Sequence, residues 1–224
     1  MKKLFISMIT LTCLILTNAS FAQTFEGKIN MKMEATNLSP EMEAMKSMFE
    51  SDITTYTKGD KSRTEMKNPM TGNMFVITDM TKKEVVTCMD MMGHKTAIVT
   101  SMDEYIEQQQ GKDMEKPEFT HTNETKMVAG HKCYKSIMKL KHEKETIEME
   151  IWCAKDIVNT NAQFNEMPGM PLEYSVDAKE FTMHFFATAI SKEKVDDKMF
   201  EIPADFTRTT TEEFQKKMTG GMGK

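Results

Sequence analysis

The chain is short of the residues that usually fill a core and of those that usually do chemistry. Its 224 residues include one Trp, four Tyr, six Pro and ten Gly. Five His and four Cys are scattered, and no HExxH helix, serine nucleophile elbow or Cys–His signature occurs, which leaves no readable catalytic site. Acidic residues are plentiful but fall at alternating surface positions, such as Glu143, Glu145, Glu148 and Glu150, so no pair stands out for acid–base work. A basic stripe is missing as well: 29 Lys and Arg against 34 Asp and Glu give a net charge of −5. The two signs interleave as on a solvated surface, which argues against a nucleic-acid partner. The composition points away from an enzyme and requires no cofactor.

Long apolar runs are absent too, with one informative exception. Lys2 and Lys3 precede an apolar stretch from Leu4 to Leu16, and Ser20-Phe21-Ala22 places small residues at the two positions a signal peptidase inspects. At about 13 residues the stretch is shorter than the roughly 20 that a membrane-spanning helix needs. Residues 1–22 are therefore expected to be a secretory signal cleaved near Ala22, delivering a periplasmic or secreted chain without a transmembrane segment. Acylation of Cys13 is the lesser reading, because Thr12 stands where a small residue is wanted. The remaining chain of about 200 residues is long enough for one domain with a real core.

What is present is a two-residue rhythm. Ile29, Met31, Met33 and Ala35 alternate with Lys28, Asn30, Lys32 and Glu34, the pattern of a half-buried strand. Ser39-Pro40 then reads as a helix start, with Met42, Met45, Met48 and Phe49 on one face of a short amphipathic helix. Short β-rich runs follow at Ile53–Lys58, Ser62–Lys67, Phe75–Thr78, Val85–Met89 and Thr96–Thr100, separated by turn residues as in an antiparallel meander. Ser101 with Glu104 predicts a capped helix ending near Gly111. Strands resume at Thr120–Val128, His131–Lys141, Thr146–Ala154, Leu172–Val176 and Phe181–Ser191. The expected organisation is a signal over 1–22, one sheet domain over 23–207 and a polar, fraying tail over 208–224. The fold class is mainly β, within α+β: one large antiparallel sheet with two or three short helices.

Methionine is the compositional excess, 25 residues against 13 Phe, and only Met1 and Met8 fall in the signal segment. Unbranched thioether side chains fill irregular cores, and they also make deformable walls suited to flexible apolar ligands. The candidate lining of such a cavity is Met31, Met33, Phe75, Ile77, Val86 and Ile98 from strands, with Met42, Met45, Met48 and Phe49 as a helical wall or plug. Soft-metal binding is the competing use of thioethers, with His131, Cys133 and Cys153 as added ligands. A structural envelope protein with a protein partner is the third reading. If the His131–Ala154 hairpin turns at residues 142–144, Cys133 stands opposite Cys153, and an oxidising compartment favours a disulfide of about 3 kcal/mol. Cys88, between apolar neighbours, reads as a buried thiol.

Three stretches carry a resemblance: Val128-Ala129-Gly130-His131-Lys132-Cys133-Tyr134-Lys135, then Ile151-Trp152-Cys153-Ala154-Lys155-Asp156-Ile157, then Met170-Pro171-Leu172-Glu173-Tyr174 followed by Phe200–Phe206. Their order and spacing resemble the exported Bacteroidota proteins grouped as domain of unknown function 4412, over residues 25–207. That family is similar in turn to the periplasmic lipoprotein carriers LolA and LolB. The resemblance implies a curved half-barrel with its helices on the concave side, and a lipidic or acylated ligand inside it. It transfers no catalytic residue.

Overall fold

The computed structural model describes residues 25–68, 72–91, 93–110, 116–142, 145–177 and 181–220; the expected signal segment lies outside them. Its strands are β1 (Glu26–Thr36), β2 (Ser51–Lys58), β3 (Lys61–Asn68), β4 (Gly72–Asp79), β5 (Glu84–Met91), β6 (His94–Ser101), β7 (Glu118–Val128), β8 (His131–His142), β9 (Glu145–Ala154), β10 (Met170–Asp177), β11 (Thr182–Lys192) and β12 (Thr207–Thr210). Helices α1 (Pro40–Glu43), α2 (Met102–Gln110) and α3 (Thr211–Gly220) interrupt them. All twelve strands belong to one curved, open sheet in the order β12-β6-β5-β4-β3-β2-β1-β11-β10-β9-β8-β7. The fold is mainly β, as the alternation requires. Neighbours are antiparallel except β12, which adds to β6 in parallel.

Strand β1 is the pivot. It pairs with β2 on one side and with β11 on the other, so two meanders, β1 to β6 and β7 to β11, are stitched together at the first strand. Its alternating apolar side chains carry the core: Ile29 and Ala35 are fully buried and Met31 and Met33 nearly so. Burying residues of this kind is worth about 1.5–3 kcal/mol each. Register shifts at Asn30/Met31 on β1, at Pro171/Glu173 on β10 and at His121/Thr125 on β7 break the flat ladder. Such bulges increase local twist and bend a sheet.

Both faces of the β3–β6 region are covered. Inside the curve, α2 packs with Met102 on Val85 and Ala162, while Phe164 is completely buried against Met138, Met149, Ile151 and Cys153 of β8 and β9. Ser101 caps α2 by accepting from the Glu104 N–H at 3.2 Å, as its sequence predicts. On the outer face, Phe75, Ile77, Val86, Cys88 and Ala97 are packed under Phe200, Ile202 and Phe206 of the C-terminal segment. That strap is pinned by Arg63, whose guanidinium lies 3.5 Å over the Phe75 ring and donates through Nη1 to the Met199 carbonyl at 3.4 Å, and by Lys95–Asp205 at 2.6 Å.

Three expectations are corrected. The run from Ser39 to Phe49 is not one amphipathic helix: α1 makes a single turn, a 3-10 turn follows at Lys46–Met48, and neither has a buried residue. It links the adjacent strands β1 and β2, so it stays at their ends, and Met45 and Met48 are exposed. The supposed fraying tail contains β12 and α3, joined by a reciprocal cap in which Glu213 N–H donates to Thr210 Oγ1 and Thr210 N–H to Glu213 Oε2. Most consequential is the β8–β9 hairpin. His142 pairs with Glu145, so Tyr134 stands opposite Cys153 and Cys133 opposite Ala154. A one-residue shift sends a side chain to the other face of a strand. Cys133 therefore packs with Val128, Ile157 and Leu172, whereas Cys153 packs with Met149, Ile151 and Phe164, and both are free thiols.

Burial pushes all three thiols up, to about 11 for Cys88 and Cys133 and about 12 for Cys153. In protein unfolded by urea without reductant, Cys88, Cys133 and Cys153 are all expected to take up an alkylating reagent. Peptide mapping that finds Cys133 and Cys153 protected until a reductant is added would contradict the register.

Candidate functional site

The concave face holds a partly open cavity of about 360 Å³, within the usual range for small-molecule sites. Its floor comes from alternate residues of neighbouring strands. Register places Met31, Ile53, Met66, Met74 and Met89 side by side across β1 to β5, and all but Met89 line the cavity. Val76 on β4 and Phe185 on β11 extend the apolar wall, and α2 with residues 160–163 forms the roof.

A second row of cross-strand neighbours is polar but mostly committed to the protein. Thr55 and Thr64 share a hydrogen bond of 3.0 Å between their hydroxyls. Ser62 donates to the Thr160 carbonyl at 3.2 Å, tying the roof to the floor. Asn161 accepts from the backbone N–H groups of Gln163 and Phe164. The hydroxyls of Thr57 and Thr160 are sealed inside the protein without a hydrogen-bond partner among the described residues. Each such orphan costs about 1–3 kcal/mol.

Tyr105 on α2 and Tyr174 on β10 complete the lining. The Tyr174 ring is stacked on Phe185 with centroids 4.7 Å apart and meets Phe164 edge-on at 4.9 Å. Desolvation holds both phenols above their ordinary range, and Tyr174 is raised further because a charge on Tyr105 would repel its own. Tyr174 retains accessible surface despite this deep burial, as expected of a side chain that opens on the cavity. Among the described residues lining the cavity, these phenols are the ionisable groups; no Asp, Glu, Lys, Arg or His is there.

Of the residues expected to line a cavity, Met31 does so. Met33 shares its strand face but sits at the strand end beside Ser51 and Glu50. Phe75, Ile77 and Val86 point to the outer face beneath the C-terminal strap, because their parity is opposite to that of Met74, Val76 and Val85. Ile98 is on the concave side of β6 but outside the lining. Met42, Met45, Met48 and Phe49 lie in the β1–β2 connection, where Phe49 packs on Phe181 at 4.8 Å. The alternation of residues 74–78 is apolar on both parities, so the sequence could not choose the inner face.

The soft-metal set is not assembled. Cys133 and Cys153 face opposite ways, and His131 is bonded through Nδ1 to Asp156 at 2.8 Å. Among the described residues no three His, Cys, Asp or Glu side chains converge as metal ligands. His121 and His184 bond Ser136 and Glu173, and neither lines the cavity.

No protein-family model matches the chain, and no curated protein matches it. Solved structures similar to it include the lipoprotein LppX of Mycobacterium tuberculosis, 7% identical over 76% of this chain and 89% of that one, with a TM-score of 0.37. A β-barrel-like protein of domain of unknown function 1849 from Brucella abortus is also 7% identical, covering 77% and 99%, with a TM-score of 0.37. LprF from Mycobacterium bovis is 11% identical over 81% and 90%, with a TM-score of 0.31. Likeness at this level leaves the cavity to be read from its own residues, and the expected resemblance to domain of unknown function 4412 is not confirmed.

Raised phenol pKa values link the site to stability. Below the unfolded value of 10.0 both states keep the phenols neutral and the stability is fully present; above it, ionisation favours the unfolded chain. The urea midpoint is expected to fall as pH rises past 10, and to fall less in Tyr174→Phe. An equal fall in that variant would contradict the burial of this phenol.

Proposed function

We propose that the protein is a non-enzymatic envelope protein that binds a lipidic or other apolar ligand in the cavity on the concave face of its sheet. The observation that carries this reading is a partly open cavity whose apolar wall is methionine, isoleucine, valine and phenylalanine and whose polar lining is uncharged, with no carboxylate, imidazole or amine among its described residues. Such a site has the groups to hold a hydrocarbon and lacks a general acid–base pair suited to neutral pH. Unbranched methionines can repack around chains of different shape. The N-terminal signal reading supplies the setting, a periplasmic or secreted protein where apolar molecules must cross water. The LolA-like architecture and membership of domain of unknown function 4412 belong to this proposal, on the strength of the motifs around Cys133, Cys153 and Tyr174.

A second reading draws on one specific feature. Met66, Met74 and Met89 occupy directly opposed positions on β3, β4 and β5, a juxtaposition of three thioethers that suits a soft cation such as Cu(I). It replaces the His131–Cys133–Cys153 set.

Native mass spectrometry of protein purified from its own envelope fraction separates the two. A bound mass of several hundred daltons that extracts into organic solvent is the expected result. Stoichiometric copper would favour the second reading, and a clean apo mass with no uptake of lipid from vesicles would overturn the first.

A further inference from the structure

The polar side chains in and beside the cavity divide into those engaged within the protein and those left to a guest, the second group including Thr78, Gln109 and Gln163, all of them uncharged. Thr55, Thr64, Ser62 and the Asn161 carbonyl oxygen are engaged in internal hydrogen bonds. The unpartnered hydroxyls of Thr57 and Thr160 are too tightly enclosed for a ligand to reach. The phenols of Tyr105 and Tyr174 are different: both side chains line the cavity, and neither oxygen has a hydrogen-bond partner among the described residues. A tyrosine hydroxyl removed from bulk water normally finds a partner, and each can donate one hydrogen bond and accept others.

Both phenols open on the same cavity. The Tyr174 ring is fixed between Phe164 and Phe185, so its hydroxyl need not be ordered when a ligand arrives. Tyr105 is carried on α2, whose packing on Val85 and Ala162 sets its distance from the sheet. The two phenols are close enough for a charge on one to disfavour a charge on the other. The rest of the lining decides the charge of the guest. A carboxylate, phosphate or ammonium would enter without a counter-ion, and desolvating an unpaired charge is far more costly than desolvating an alcohol or carbonyl.

We propose that the cavity selects amphipathic molecules whose polar group is an uncharged oxygen function, such as an alcohol, ester or ketone, held by Tyr105 and Tyr174 while the methionine wall takes the hydrocarbon. This rests on the ligand-binding function above and specifies the ligand class. The chemistry includes monoesters of glycerol, long-chain alcohols and apolar ketones. It excludes free fatty acids in their ionised form, and lipids whose charged headgroup would have to be enclosed.

The test uses the full mature chain loaded with the neutral dye N-phenyl-1-naphthylamine, which is displaced in turn by dodecanol, methyl dodecanoate, dodecane and dodecanoate at pH 8. Dodecanol and the ester should displace the dye about tenfold better than dodecane, the worth of one hydrogen bond, and dodecanoate should be the weakest. In Tyr105→Phe/Tyr174→Phe, which keeps both rings, the advantage of alcohol over hydrocarbon should vanish while dodecane binding persists. The unsubstituted protein's ranking stands as a test in its own right should that variant fail to fold. Equal displacement by alcohol and hydrocarbon, tightest displacement by dodecanoate, or an unaltered preference in the double variant would overturn the ligand class and leave the cavity function standing. Failure of the dye and of every probe to bind would overturn both.

Discussion

The structure depends on the double pairing of β1. Residues 26–36 hydrogen-bond to β2, a near neighbour in sequence, and to β11, some 150 residues away along the chain. Without that second ladder the chain would be two separate meanders, each with a bare edge and half a core. With it, the apolar parity of β1 fixes which side of the joined sheet is inside, and the bulge at Asn30/Met31 bends the seam. Met31 on β1 and Ile53 on β2 then converge on one space with Phe185 on β11, from the far end of the sequence.

Covering both faces explains how so few aromatics suffice. The outer face of β3 to β6 is sealed by a strap with three large apolar residues, and the inner face by α2 and the Phe164 segment. Aromatic residues are concentrated where orientation matters, in the Phe164–Tyr174–Phe185 stack and the Arg63–Phe75–Phe206 clamp. Methionine fills much of the remainder, a side chain that packs without imposing a shape. A rigid phenol beside a compliant thioether wall is the combination that fixes a polar group and tolerates variation in the chain attached to it.

Much of the fold was legible in the sequence because alternation marks β1 and turn residues bound the other β-rich runs; eleven of the strands coincide with runs read in these ways. What alternation cannot fix is parity where both faces are buried, hence the misplacement of Phe75, Ile77 and Val86. Nor can it fix register, which the length of the β8–β9 connection decides, and a single residue there separates a disulfide from two isolated thiols. Two signals were present and passed over. Thr210 with Glu213 is a capping box, and the threonine-rich run Thr207–Thr210 favours a strand, so β12 and α3 were encoded in an apparently polar tail. Tyr105 and Tyr174 carried no mark of their own, since only the tertiary fold brings α2 over β10.

The abundance of methionine supplies the most direct probe of where a ligand sits. In protein carrying ¹³C-methyl methionine, saturating dodecanol should shift the methyl resonances of Met31, Met66, Met74 and Met170, which line the cavity. The resonances of Met45, Met48 and Met127, exposed on the surface, should stay in place. Shifts confined to those surface methionines, with the cavity set unmoved, would contradict the central claim that the concave face is a binding site.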